Sequence, residues 1–219
     1  MDQPADLPAD LPADLPADFW EQRYASSERI WSGRVNQALA DVAETLAPGR
    51  ALDLGCGEGG DAIWLAQHGW QATGIDIAPS AIAHARAAAE ALGLGPDRVT
   101  FRVGDLESGT DGERYDLVSA CFLQSPVALS REQILRRAAE QVAPHGHLLI
   151  VSHAAPPPWS QLAHDHPEGM PQPADELAAL DLPPELWEVE LAEVRRREAT
   201  GPDGEHAVLD DGIVLVRRR

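Results

Sequence analysis

A short stretch of the sequence combines acidic residues with glycines and has the residue types of a ligand-binding turn. It reads Ala51-Leu52-Asp53-Leu54-Gly55-Cys56-Gly57-Glu58-Gly59-Gly60. A strand that runs into glycines and then into a helix places a ligand against bare backbone at the helix N-terminus. Gly55, Gly57 and Gly60 fit the G-x-G-x-x-G pattern, and Asp76 lies 21 residues after Gly55. The glycines alone leave the kind of nucleotide-like ligand open.

Three acids follow successive predicted strands and narrow the choice of ligand. Asp53 stands two residues before Gly55, where a carboxylate suits an ammonium group and would repel a pyrophosphate. Asp76 ends the second strand, where it can accept both hydroxyls of a ribose, and Asp105 follows the third, in reach of an adenine amino group. Three carboxylates arranged in this way would suit a nucleoside ligand that carries an amine and no phosphates. Asp105 has an alternative interpretation as the cap of a short helix.

The elements that must position these residues follow a βα rhythm. Apolar segments at 51–54, 71–75, 99–103, 115–121 and 147–152 predict five strands, and helices are predicted at 35–46, 61–67, 79–92, 131–142 and 175–180. Two further strand-like runs, 187–197 and 207–217, flank Gly201-Pro202-Asp203-Gly204 and predict an antiparallel hairpin. The fold class predicted is therefore α/β, a doubly wound, Rossmann-like, seven-stranded sheet that is parallel except for the C-terminal hairpin.

Composition divides the chain into a tail and one domain. Residues 1–18 repeat Pro-Ala-Asp-Leu and predict a disordered tail, because a proline at every fourth position prevents a continuous helix. The alternative is a docking segment presenting Leu7, Leu11 and Leu15. Residues 19–219 form the predicted domain, with an aromatic helical lid at 19–48 and a Pro/His-rich insertion at 154–185.

Taken together, the motifs Asp53–Gly59, Gly74-Ile75-Asp76 and Gly104-Asp105-Leu106 and the final hairpin resemble those of the class I S-adenosylmethionine-dependent methyltransferases. The resemblance extends from about Phe19 to the C-terminus. Trp20-Glu21-Gln22-Arg23-Tyr24 and Ile30-Trp31 are similar to the branch that contains tellurite-resistance and thiopurine methyltransferases.

This resemblance implies a cofactor, S-adenosylmethionine, and a set of residues that bind it. Asp53, Gly55 and Gly57 would hold its methionine end, with Cys56 beside it as a small packing residue, and Asp76 would hold the ribose. The remaining contacts implied for the adenine and the pocket wall are Ile77, Asp105, Leu106, Cys121 and Phe122. Gly59 and Gly60 have an alternative role in helix packing alone.

The methyl acceptor is constrained only weakly, because in-line transfer from a sulfonium releases a neutral leaving group and needs no acid. A small molecule is expected, with a thiol, a chalcogen or another soft nucleophile as candidates. We expect its pocket to contain Trp20, Tyr24, Trp31 and Trp159. His153 is the predicted catalytic base for acceptors that must lose a proton, with His164 and His166 as weaker alternatives. These three histidines could in principle form a metal site, but the long intervening loop does not fix their geometry, so no metal is predicted.

Charge and composition argue against several partners. The net charge of −19 would repel nucleic acid and anionic membranes, and the chain lacks the roughly 18-residue apolar run of a membrane helix. The segment after the fourth strand, Cys121-Phe122-Leu123-Gln124-Ser125-Pro126, lacks the [Asn/Asp]-Pro-Pro-aromatic tetrad of nucleobase amine methyltransferases. Two cysteines are too few for a disulfide framework, so the expected location is the cytoplasm. A homodimer, a non-catalytic cofactor-binding module and a nicotinamide oxidoreductase stay open as alternatives.

Overall fold

A computed structural model describes residues 16–26, 30, 32–109, 112–160, 170–201 and 204–219. Short, mostly apolar segments form seven strands: β1 (Arg50–Leu54), β2 (Gln71–Asp76), β3 (Val99–Val103), β4 (Tyr115–Cys121), β5 (Val142–His153), β6 (Trp187–Thr200) and β7 (His206–Arg218). The helices are α1 (Pro16–Ala25), α2 (Gln37–Ala43), α3 (Gly60–Gln67), α4 (Pro79–Ala91), α5 (Arg131–Glu140) and α6 (Pro173–Leu180). Leu106–Ser108 forms a 3₁₀ turn.

The strands form one sheet in the order β3-β2-β1-β4-β5-β7-β6. The first five pair in parallel, and β7 lies antiparallel between β5 and β6. The chain winds outward from β1 to β3 and then returns to place β4 on the other side of β1. This reversal opens a crevice at the carboxyl ends of β1 and β4, where ligands of open α/β sheets bind. The predicted fold class is confirmed.

Apolar side chains cover both faces of the sheet and hold the helices on it. One cluster joins Leu39 of α2, Leu65 of α3 and Ile82 of α4 to one face. A second joins Ile134 of α5 and Leu180 of α6 to the opposite face. Strand β1 contributes to both faces, because successive side chains of a strand alternate. Among the described residues, no helix is long and apolar enough to cross a membrane.

Two predicted boundaries are wrong for clear physical reasons. Helix α1 begins at Pro16, so 16–18 form its first turn rather than part of the tail, because proline is well tolerated at the first helical position. Strand β5 begins at Val142 rather than at His147, because Val142 pairs with Tyr115 and ends α5 early. The remainder of the tail, 1–15, with Leu7, Leu11 and Leu15, lies outside the described residues.

Candidate active site

A cavity of about 490 Å³ lies at the carboxyl ends of the parallel strands. Most of the residues predicted from the sequence line it: Trp20, Tyr24, Asp53, Gly55, Cys56, Gly57, Asp76, Ile77, Asp105, Leu106, Cys121, Phe122 and His153. The prediction for Trp159 is wrong, because its neighbour Ser160 and the later Met170 line the cavity in its place. Trp31, His164 and His166 lie outside the described residues.

The glycine turn is held in place by Asp76. The Gly57 N–H donates to Asp76 Oδ2 over 2.9 Å, and the Ala78 N–H donates to Oδ1 over 3.0 Å. Gly55 and Gly57 have φ values of +68° and +51°, which disfavour residues with a side chain. Each carboxylate oxygen can accept a second hydrogen bond. Asp76 is therefore both a structural tie and a possible acceptor for ligand hydroxyls.

The last two glycines of the turn pack closely against neighbouring chain, and Gly60 also lines the cavity. Gly59 has φ +81°, and a Cβ there would lie 2.8 Å from the Phe101 ring. A Cβ on Gly60 would lie 3.1 Å from the carbonyl oxygen of Arg34. The start of α3 thus fits closely against β3 on one side and against the chain at Gly33–Arg34 on the other.

Three carboxyl groups that line the cavity lie close enough to influence one another. Asp53 accepts from Ser119 Oγ over 2.9 Å, and Asp61 accepts from the Asn36 N–H over 2.6 Å. Burial raises the pKa of Asp53 well above its ordinary value, and the charge of Asp61 adds to this. Burial likewise raises the pKa values of Asp61 and Asp76. A cationic ligand would stabilise the ionised form of all three groups.

Sequence reasoning missed Asp61, although its place in the first turn of α3, directly after the glycines, was a usable signal. Both cysteines beside these acids are free. Burial, followed by the charges of the nearby aspartates, raises the pKa of the Cys56 and Cys121 thiols well above the ordinary value. Neutral thiols in this position act as small packing residues.

Asp105 caps a helical turn, which confirms its alternative interpretation. Its Oδ1 accepts the Glu107 N–H over 2.8 Å, and its Oδ2 accepts from Ser108 Oγ over 3.3 Å. The side chain is exposed and also lines the cavity. Capping does not exclude a further contact with an adenine amino group.

The N-terminal segment, residues 16–36, is attached to the site at several points. The Trp20 Nε1–H donates to Ser125 Oγ over 3.3 Å, and Glu21 accepts the Ser80 N–H at the start of α4 over 2.8 Å. Glu58, a buried cavity residue that sequence reasoning missed, accepts the Ile30 N–H over 3.1 Å. The lid over residues 19–48 stays a prediction, and residues 27–29 and 31 of this segment lie outside the described residues.

His153 ends β5, lines the cavity and is buried at 3 % exposure. Its ring stacks on Phe122 with centroids 4.4 Å apart, and its Nδ1 lies 3.6 Å from Asp211 Oδ1. Asp211 in turn binds Arg197, whose Nε lies 2.7 Å from Oδ2. Burial alone would raise the pKa of Asp211, but the neighbouring His153 and the hydrogen-bonded, charged Arg197 lower it below its ordinary value.

The supporting partners of His153 come from the C-terminal hairpin, and sequence reasoning missed both. His153 pairs directly with Asp211 across the β5–β7 ladder, and Asp211 pairs with Arg195 of β6. Finding Asp211 from the sequence required the register of the hairpin against β5. The predicted hairpin itself gave no such register.

A buried ion pair anchors the insertion after β5. Arg131 Nη1 binds Glu176 Oε2 over 2.7 Å, and Arg131 Nη2 donates to Ser152 Oγ over 2.9 Å. The Arg131 Nε–H donates to the Leu123 carbonyl oxygen over 2.8 Å. This contact connects α6 and the loop after β4 to α5 and β5, and so fixes the wall of the cavity around His153.

Comparison with known proteins agrees with this geometry. Residues 51–146 match the model of a family described as a methyltransferase domain. The 2-heptyl-1-hydroxyquinolin-4(1H)-one methyltransferase of Mycobacteroides abscessus is 34% identical over 151 residues, which cover 65% of this chain and 63% of that enzyme. The chain spans less than two thirds of the length of this and other curated relatives.

Solved structures show the same fold over nearly the whole chain. A protein from a study of the conversion of a disulfide bond into a thioacetal group during echinomycin biosynthesis is 26% identical, with a TM-score of 0.69 and 92% of each chain covered. Magnesium protoporphyrin IX methyltransferase from Synechocystis PCC 6803, solved with bound S-adenosylmethionine, is 17% identical, with a TM-score of 0.64 and coverage of 95% and 100%. The segment 51–146 thus matches a methyltransferase-domain family, and the described fold is the one these solved structures share.

Proposed function

We propose that the protein transfers a methyl group from S-adenosylmethionine to a small molecule. The observation that carries this proposal is the group of Asp53, Asp61 and Asp76 at one cavity, each with a raised pKa. A ligand with an ammonium and a sulfonium stabilises such a group electrostatically, whereas a pyrophosphate would be repelled. The same acids therefore count against a nicotinamide cofactor.

The residues present fit the cofactor from one end to the other. Asp53 and the turn at Gly55 suit the ammonium, and Arg34 with the first turn of α3 suits the carboxylate. Asp76 suits the ribose, while Ile77 and the Asp105-Leu106 pair suit the adenine. When bound there, the cofactor supplies an activated methyl group.

The acceptor side of the cavity combines an apolar wall with a supported imidazole. In this proposal His153 takes a proton from the acceptor, and Asp211, held by Arg197, stabilises the imidazolium that forms. This arrangement favours an acceptor that must lose a proton, such as the N-hydroxyl named in the Mycobacteroides relative. Thiols and chalcogens, expected from the tellurite-resistance and thiopurine branch, are the second candidates, because a soft nucleophile needs little help from a base.

Methyl transfer from radiolabelled S-adenosylmethionine tests the proposal. The panel contains 2-heptyl-1-hydroxyquinolin-4(1H)-one, a phenol, thiophenol, selenite and an RNA oligonucleotide, each with and without enzyme. We expect label in a small molecule and none in the RNA. Binding of S-adenosylhomocysteine without transfer to any acceptor would instead support a non-catalytic module. Enhanced fluorescence of added NADH would support an oxidoreductase.

A further inference from the structure

Most described arginines of this acidic chain form a hydrogen bond or an ion pair, and the exceptions lie beside the cavity. The chain has 36 acidic and 17 basic residues, all of the latter arginine. Every other described arginine has a hydrogen bond, an ion pair or another interaction, whereas the side chains of Arg23 and Arg34 make no hydrogen bond or ion pair with described residues, and both residues line the cavity. Arg34 is exposed to solvent, whereas Arg23 is half-buried beside the cavity without a carboxylate partner among the described residues, and so is available to a ligand anion.

Arg23 is held over the cavity by a fixed helix. The residues of α1 that line the cavity are Pro16, Trp20, Arg23 and Tyr24, which fall on one helical face. Tyr24 packs on Ala78 and Ala81 at the start of α4, so the helix has a defined position. Arg23 is half-buried, and burial lowers the pKa of its guanidinium. No carboxylate among the described residues offsets the cost of that burial.

The two arginines lie beside different parts of the cavity. The Arg34 backbone packs against the first turn of α3, since its carbonyl oxygen lies 3.1 Å from a Cβ placed on Gly60. That is the end where the cofactor's methionine carboxylate belongs. Arg23 lies one turn from Trp20, whose Nε1–H donates to Ser125 in the loop after β4. S-adenosylmethionine has a single carboxylate, and pairing that carboxylate with Arg34 leaves Arg23 for the acceptor.

We propose that Arg23 binds a carboxylate on the methyl acceptor, which is therefore an apolar carboxylic acid. This proposal rests on the proposed methyltransferase function and adds the substrate class. The planar guanidinium matches a carboxylate in a two-bond geometry. The nearby wall is apolar, with Trp20, Phe122, Leu123, Val127 and Met170 lining the cavity. A phosphate dianion would meet stronger repulsion from the aspartates across the cavity.

Two matched variants, Arg23→Gln and Arg34→Gln, test the assignment, since each removes one cavity cation of the same kind. Calorimetry measures S-adenosylhomocysteine binding and then, on the saturated protein, binding of 2-naphthoate and benzoate against the isosteric 2-naphthamide and benzamide. We expect the wild type to prefer a carboxylate over its amide by about tenfold or more, the worth of a charged hydrogen bond. Arg23→Gln removes the preference and leaves cofactor-product affinity within about twofold. Arg34→Gln should keep the preference for the carboxylate and should weaken the binding of S-adenosylhomocysteine.

Three outcomes would overturn the subsite. One is equal binding of acid and amide by the wild type for both pairs. Another is retention of the preference in Arg23→Gln, and the third is loss of S-adenosylhomocysteine affinity in Arg23→Gln as large as in Arg34→Gln. The far-ultraviolet spectrum and melting temperature of each variant report folding. Absence of S-adenosylhomocysteine binding by the wild type would defeat the proposed function, while the acid-over-amide preference stays measurable in the unliganded protein.

Discussion

The two halves of the cavity are built in different ways. Most of the cofactor half comes from one short piece of chain between Asp53 and Asp76, to which Arg34 and the Asp105-Leu106 pair are added. Its geometry is set by backbone groups, because the Gly57 and Ala78 N–H groups both donate to Asp76. The acceptor half collects side chains from α1, the loop after β4, β5 and the C-terminal hairpin, and its geometry is set by ion pairs such as Arg197–Asp211 and Arg131–Glu176.

Because the two halves are built differently, substitutions in them should have different effects. Backbone ties form with the fold itself, so the cofactor half is ready to bind in the unliganded protein. Ion pairs between distant side chains can change one at a time without disturbing the strand ends. Substitutions in the cofactor half should therefore change cofactor affinity, whereas substitutions in the acceptor half should change the turnover rate.

Asp76→Ala should produce the largest effect. It removes two hydrogen bonds that hold the glycine turn and the acceptor expected for the ribose. At 1–3 kcal/mol for a buried donor left unpaired, S-adenosylhomocysteine should bind about 100-fold more weakly or worse by calorimetry. Asp97→Ala is the control, because Asp97 is exposed and does not line the cavity. An equal loss in the control would contradict the ranking.

Asp211→Asn should give the clearest difference between an effect on turnover and an effect on cofactor affinity. Loss of the carboxylate beside His153 should lower kcat about 100-fold, within the usual range for general base catalysis, because it no longer stabilises the imidazolium. S-adenosylhomocysteine affinity should stay within about twofold. The matched control is Asp210→Asn, a neighbour that lies on the surface 3.6 Å from Arg196. Similar losses in both variants would mean that the hairpin, not the carboxylate, matters.

Binding of S-adenosylhomocysteine should release protons. The pKa values of Asp53, Asp61 and Asp76 are raised in the unliganded site, and the ammonium of the ligand lowers them. Affinity should therefore weaken as pH falls through the raised pKa values and level off above them. Calorimetry in buffers of different ionisation enthalpy measures the proton count, which Asp61→Asn should reduce. Proton uptake would contradict the electrostatic model of the site.

Asp61→Asn should stabilise the unliganded protein while weakening its cofactor binding. An asparagine Oδ1 can still accept the Asn36 N–H, and the cost of a buried charge disappears. We expect a gain of about 1 kcal/mol at pH 7, a rise of about 2–4 °C in Tm. Because the folded pKa is raised, this gain should vanish below about pH 4, where the carboxyl is protonated in both states. Exposed Asp41→Asn is the control and should change Tm little.

The cofactor half was accessible from the sequence because local rules decide it. A strand, glycines with positive φ and a helix follow one another in the chain, and the parallel order of β1 to β3 brings Asp53, Asp76 and Asp105 to one edge. The acceptor half depends on the register of β7 against β5, on where α1 begins and on the direction of Trp159. Tertiary packing sets those features, so Asp211, Arg197 and Arg23 escaped notice.

The segment ahead of α2 shares its attachment points with the cofactor site. Asn36 donates to Asp61 and Ile30 donates to Glu58, and both acids line the cavity. A ligand that interacts with these carboxylates also changes the hydrogen bonds that they accept from the segment. By thermodynamic reciprocity, the segment in turn changes the affinity for that ligand. A chain shortened to begin at Gln37 would keep every residue of the glycine turn and would still bind the proposed methyl donor more weakly.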